Sequence, residues 1–432
     1  YCYYPILTVN PGATISQDDP ILDPDCLAEG GGLVSGFIVH GLCQVYRTTG
    51  YEPALELAGK LAIYLMKYSG GYDEDARFLG MVHTHHHLKP MIGLLEYALI
   101  TGNAEMANFA RKGYEYARSC GNSTIGYYAA VPGPDISYDY KTVQEHFRSP
   151  AEGCTVADFI ALGVKLSEAG VSDCWDDVDR VVRNHFFESQ LLEMDWVGDV
   201  QADLPSELRS EGTDESVHLT EDHYQTEDRV AERQVGNFAS LPAPNGLTFG
   251  FGWPGMRLMQ CCSGNAFRSI YYLWDNILKY EAGVLKVNLL LNRFSSWGDL
   301  YSYIPYEGRV DVKIKKSCTL KVRIPEWVEP ADVTCTLGRA DRELGWDDRY
   351  AVVGNVRPDD VVTLRFPIEE RTVVETIMGQ DLTMTIRGND VVGMEPRGRY
   401  YPFYQQRSHY RDSKVRWVNL ECFVGDRQTH WR

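Results

Sequence analysis

The chain has 432 residues, 44% of them hydrophobic and 24% charged, and carries a net charge of −18. Length and balance describe a globular protein with room for two or three domains, and so acidic a chain argues against nucleic acid and anionic membrane surfaces as partners. No apolar run reaches the ~18–20 residues that a membrane span needs; the longest, Leu285 to Leu291, is the size of a strand.

Nothing between Tyr1 and Asn10 has the charged-then-apolar layout of a signal peptide, so the start reads as mature, processed or truncated. Eleven cysteines, an odd number over a long chain, are expected to be mostly free thiols. Free thiols favour a reducing compartment without deciding between cytoplasm and periplasm.

The first half reads as helices. Leu33, Phe37, Ile38, Gly41, Leu42 and Val45 follow the spacing of one buried helix face, stopped at Thr49-Gly50. Pro53 then fits the first turn of a second helix running to Tyr68. The layout repeats: Leu88 to Ile100 is stopped at Thr101-Gly102, and Ala104 to Arg118 follows. Counted from each glycine, Ala58 and Ala110 correspond, as do Tyr64 and Tyr116. A looser third pair spans Val156 to Ala169 and Trp175 to Phe187. Repeated α-hairpins stack into a solenoid or close into an α/α toroid, and a full toroid would need more chain before Tyr1. Asp195 to Pro254 has no period and reads as a functional or mobile stretch. A last helix runs from Asn265 to Lys279.

From Gly283 the period changes to two. Val310, Val312 and Ile314 alternate with charged residues, Leu320 to Ile324 does the same, and Val361 to Phe366 and Leu382 to Arg387 add strands. The expected architecture is therefore an α/α helical toroid over residues 1–281 followed by an antiparallel β-sandwich over 282–432.

Two short motifs carry candidate chemistry. Glu152-Gly153-Cys154 stands at the mouth of one helix, and Cys261-Cys262-Ser263-Gly264-Asn265 opens another. Three thiols and a carboxylate suit Zn²⁺, and a helix N-terminus favours the thiolate form. On spacing alone, adjacent cysteines in an apolar segment are usually an inert core pair.

The run Cys261-Cys262-x-x-Asn265-x-x-Arg268, followed by Leu285-Lys286-Val287-Asn288-Leu289-Leu290-Leu291, resembles the β-L-arabinofuranosidase family, glycoside hydrolase family 127 and its relatives. Glu152-Gly153-Cys154 resembles that family's Glu-x-Cys element, and the resemblance extends from about Gly32 to Tyr410. It implies one zinc held by Glu152, Cys154, Cys261 and Cys262, with Cys261 attacking the anomeric carbon. It also implies a retaining exo-glycosidase acting on a plant or algal oligosaccharide, with carbohydrate as the partner and a homodimer compatible with it. The family's acid/base glutamate has no clean counterpart here: Glu145 is the nearest candidate, then Asp135 and Asp139, with Asp222 and Glu227 on the long unpatterned stretch.

His83-Thr84-His85-His86-His87 reads as a loop before a helix, and the family's use of histidines near sugar hydroxyls implies substrate contacts from His83 and His85. Trp253, in Gly250-Phe251-Gly252-Trp253-Pro254, is a candidate for stacking on the sugar, whereas Tyr271, Tyr272 and Trp274 have helical core spacing. Asn265 is expected to orient the cysteine loop and Arg268 to pair with an internal carboxylate. Two other readings stay open: a non-catalytic carbohydrate-binding protein with a structural zinc, and a toroid-type polysaccharide lyase or unsaturated-uronide hydrolase.

Overall fold

The structure is a computed structural model and describes residue 33 and residues 36–79, 83–130, 151–196, 199, 232–247 and 260–412. Helix α1 (Phe37–Thr49) stops where Gly50 turns left-handed at φ 69° and returns its N–H to the Tyr46 carbonyl. Helix α2 (Glu52–Lys67) follows with Pro53 in its first turn. The second hairpin repeats the first: α3 (Thr84–Thr101) ends at Gly102, φ 70°, and α4 (Ala104–Ser119) is capped by Asn103, which accepts the Met106 N–H at 3.0 Å. Ala58 and Ala110, the residues in register between the repeats, are both fully buried. Helices α5 (Gly153–Glu168), α6 (Trp175–Val181) and α7 (Gln260–Ile277) complete the helical half.

The core face expected on α1 is turned. Ile38 and Val45 are exposed, and the buried residues are Val39 and Cys43. The cause lies on α3: a Cβ at Gly93 would come within 2.9 Å of both the Val39 Cβ and the His40 backbone nitrogen. Only glycine lets the two helices cross so closely, and that crossing selects the Val39 face. Helices α1, α3, α5 and α7 pack side by side in that order, with α2 packed on α1 and α3, and α4 on α3 and α5.

A second difference is where α3 begins. It starts at Thr84 instead of Leu88, so His85, His86 and His87 occupy its first turn. The turn forms because the Thr84 N–H finds the Ala130 carbonyl at 2.8 Å and the His86 N–H finds the His83 carbonyl at 2.9 Å. Similarly, the Trp175-to-Phe187 helix is α-helical only to Val181 and continues as a π turn, Val182–Phe186.

Strand Leu278–Glu281 follows α7 with no linker and pairs antiparallel with Val284–Val287. One five-stranded sheet takes the order Leu278–Glu281, Val284–Val287, Cys318–Arg323, Tyr350–Val356, Gly345–Asp347. A six-stranded sheet lies against it: Leu285 of the first sheet is 3.4 Å from where a Cβ on Gly298 of the second would sit. Val310, Val312 and Ile314 point into the space between them, as their alternation requires. Among the described residues the pairs are antiparallel, except that Val284–Val287 runs parallel to Cys318–Arg323. A three-stranded sheet, Glu370–Ile377, Gln380–Arg387 and Asp390–Glu395, closes the half.

The halves are fastened through α6 and its π turn. Arg323 reaches Asp173 at 2.7 Å and Asp176 at 2.5 Å. Arg183 reaches Asp179 at 2.8 Å, Asp390 at 3.2 Å and the Leu290 carbonyl at 2.7 Å. Among the described residues no helix is long and apolar enough to cross a membrane.

His185, in the π turn, is fully buried between the rings of Tyr127 and Phe403, and neither ring nitrogen meets a hydrogen-bond partner among the described residues. Burial pushes its pKa down from 6.5 to about 3. The unfolded chain therefore binds this proton first, and folded stability is expected to fall as pH drops from about 6.5 toward 3. His185→Leu removes two unpaired buried nitrogens. It is expected to raise stability at pH 7 by about 1–3 kcal/mol and to flatten the acid-side loss, both measurable by denaturant unfolding across pH.

Candidate metal–thiol site

Two helix N-termini meet in one place. Glu152 is the residue before α5, Cys154 sits in its first turn, and Cys261 and Cys262 sit in the first turn of α7. The Cys154 thiol donates to the Cys262 sulfur at 3.3 Å, and the Cys261 and Cys262 sulfurs are 3.9 Å apart. All three sulfurs lie within 4.8 Å of one another. The convergence depends on Gly153, where a Cβ would come within 3.2 Å of the Cys262 Cβ and 3.0 Å of the Ala239 carbonyl.

The surroundings fix these thiols. Asn265 donates to the Cys154 sulfur at 3.2 Å, reaching the other cysteine element and not the Cys261-Cys262 loop expected of it. The Gly153 N–H donates to the Ser240 carbonyl at 2.9 Å and the Ser263 hydroxyl to the Phe238 carbonyl at 3.3 Å. Residues 238–240 thus brace both cysteine elements. They fall in the stretch whose sequence shows no period, and nothing in it marked them out. Cys154 and Cys262 are buried and Cys261 is exposed.

The hydrogen bond from Cys154 pulls the Cys262 thiol down to about 7, against the effect of burial. The same bond pushes Cys154 up, and burial raises Cys261. Helix N-termini aimed at the cluster add a positive field that suits thiolate.

Glu152 is buried beside this cluster. Its Oε2 accepts from His83 Nε2 and from the Thr155 hydroxyl, each at 2.8 Å. Burial works to raise its pKa, but the His83 hydrogen bond, with the charges of His83 and His85, holds the carboxyl below its ordinary value. Among the described residues the mutually close group comprises the three sulfurs, and Glu152 is not within 4.8 Å of all of them.

The histidines are divided in role. His85 Nδ1 meets Asp158 Oδ2 at 2.6 Å, and the other oxygen of Asp158 takes Arg268 Nη2 at 2.5 Å. Asp158 is the internal carboxylate for Arg268. It went unremarked in the sequence, although an acid four places after Cys154, inside Val156 to Ile160, was a readable signal. His87 is committed to the His83 and Leu79 carbonyls at 3.0 and 3.3 Å. Burial, with His83 and His85 nearby, pushes His86 down to about 3. Phe37 lies edge-on to both His85 and His86.

Glu145, Asp135, Asp139, Asp222, Glu227 and Trp253 lie outside the described residues. Tyr271 and Trp274, expected in the core, are exposed on α7 instead. They follow the helical period, and Arg293 of the six-stranded sheet lies over the Trp274 ring at 4.3 Å.

The fold is shared with solved glycoside hydrolases. One, described simply as a glycoside hydrolase, matches at a TM-score of 0.57 and 14% identity over 89% of this chain and 63% of its own. Another is the family 127 β-L-arabinofuranosidase of Geobacillus stearothermophilus T6, with a TM-score of 0.55 and 14% identity over 82% of this chain and 57% of that one. A family 127 β-arabinofuranosidase matches at 0.58 and 16% identity over 81% and 54%. At these identities the likeness is one of fold, and the chain spans between 54% and 63% of those proteins' length. No protein-family model and no curated protein matches the sequence.

The burial pattern predicts an order of reaction. In metal-free protein, iodoacetamide is expected to modify Cys261 before Cys154 and Cys262, as read by peptide fragmentation over time. Equal labelling of all three would contradict the packing around Gly153.

Proposed function

We propose that the protein is a zinc-dependent retaining exo-glycoside hydrolase of the β-L-arabinofuranosidase kind, with Cys261 as nucleophile and a plant or algal oligosaccharide as substrate. The single observation that carries this is the convergence of Cys154, Cys261 and Cys262, two elements more than a hundred residues apart, with one sulfur exposed. In this reading the row of inner helices belongs to an α/α toroid whose mouth holds the sugar, as the shared fold supports.

The three sulfurs fit the metal. Zinc binds thiolate at about 2.3 Å in a tetrahedron, which sets sulfurs about 3.8 Å apart; the separations here are 3.3 and 3.9 Å. Glu152 is the fourth ligand of the proposed set, its Oε2 tied to His83 and Thr155, the support that ligating carboxylates usually have. When bound, zinc keeps the thiols ionised and lowers the cost of sulfur departure.

The chain's own groups do the rest. Cys261, exposed at the end of α7, has the access that attack on an anomeric carbon requires. Cys154 and Cys262, sealed beneath it, hold position. His83, a third of its side chain open and anchored on Glu152, is the proposed contact for sugar hydroxyls.

One zinc per chain is expected by elemental analysis, lost on prolonged chelation together with hydrolysis of an aryl β-L-arabinofuranoside. Cys261→Ser is expected to lower turnover by about a thousandfold or more with an unchanged circular dichroism spectrum. Wild-type turnover in that variant would overturn the nucleophile assignment. Hydrolysis that survives complete zinc removal would overturn the metal's role.

A further inference from the structure

A thiolate nucleophile leaves one requirement unmet: a group that gives a proton to the departing oxygen and then takes one from water. We propose that His85 is this acid/base, with Asp158 and Arg268 positioning it, in place of Glu145. The inference rests on the glycosidase reading above.

Geometry narrows the choice among the described residues. His83 spends Nε2 on Glu152, and both nitrogens of His87 face backbone carbonyls. His86 is held neutral by its burial. His85 alone of the four combines a fixed ring with an uncommitted nitrogen. Its Nδ1 is locked on Asp158, which is fully buried and clamped on its far side by Arg268. That pairing sets the tautomer, so protons exchange at Nε2. Nε2 has no hydrogen-bond partner among the described residues, and a tenth of the side chain remains open.

The charges around His85 favour a proton on the ring. Asp158 comes from α5, Glu152 from the turn before it and Cys262 from α7; His83 and His86 flank the ring on its own chain segment, with Phe37 of α1 against its edge. Burial works to lower its pKa, and Asp158, with Glu152 and Cys262, raises it. An imidazole so placed holds its proton more firmly than a free one, as a proton donor to a leaving alcohol needs.

The two steps balance. In the first, the Cys261 sulfur bonds to the anomeric carbon while the glycosidic C–O bond breaks, and the Nε2 proton goes to the leaving oxygen. In the second, water bonds to the same carbon and gives a proton to Nε2 as the C–S bond breaks, its electron pair returning to sulfur. No oxidant or reductant enters.

Leaving-group dependence separates acid catalysis from a structural role. His85→Gln and wild-type protein, matched for zinc content and melting temperature, are assayed on 4-nitrophenyl and methyl β-L-arabinofuranosides. Nitrophenolate departs without help and methoxide does not. The variant is expected to lose about 10²–10⁴-fold in kcat/KM on the methyl glycoside and less than about tenfold on the aryl one. Asp158→Asn is expected to show the same asymmetry at smaller size. Equal losses on both substrates would overturn the inference while leaving the glycosidase reading standing. The asymmetry appearing in Glu145→Gln and not in His85→Gln would also overturn it. A wild-type protein inert on both sugars would remove the glycosidase reading and this inference with it.

Discussion

The close approach of α5 to α7 at Gly153 is the constraint on which the site depends. With only a hydrogen on Gly153, the Cys262 side chain and the Ala239 carbonyl both come within about the space of a methyl group. That proximity brings the Cys154 and Cys262 sulfurs to 3.3 Å and aims two helix N-termini at one point. The Gly153 N–H is then satisfied by Ser240, outside the helix. A Cβ there would press on both the Cys262 side chain and the Ala239 carbonyl, and one of them would have to give.

A ladder of ion pairs runs along the inner row of helices and sets their rotation. Arg268 of α7 meets Asp158 of α5. Further along α5, Lys165 meets Glu96 of α3, which also takes Arg47 of α1 at 3.1 Å. Each rung joins neighbouring helices. Buried pairs of this kind contribute little net stability, since desolvation offsets their attraction. What they fix is which turn of each helix faces the next, and therefore where His85, Glu152 and Cys262 stand.

The fold was legible where local rules decide it. Gly50 and Gly102 marked helix ends because each takes the left-handed conformation that ends a helix, and the alternation from Val310 to Ile314 placed a strand because one face had to be dry. The face of α1 was not legible, because the deciding residue, Gly93, lies on another helix. The start of α3 was missed for a similar reason: its first N–H is satisfied by Ala130, forty-six residues away. In the site, the cysteine elements could be read as motifs. Their meeting depends on packing, and the brace at residues 238–240 has no signature in its own letters. Asp158 was readable in principle as an acid inside an apolar helix.

The arginine clasps around α6 bear on how the molecule can be divided. Arg323 and Arg183 reach from one half into aspartates of the other, or hold both, and are almost wholly covered. Cutting the chain near Leu278 would strand cations on one fragment and carboxylates on the other, in surfaces shaped for neither water nor solitude. Separating the β-rich half is therefore expected to weaken both parts, because each would expose or bury a charge that the other now answers.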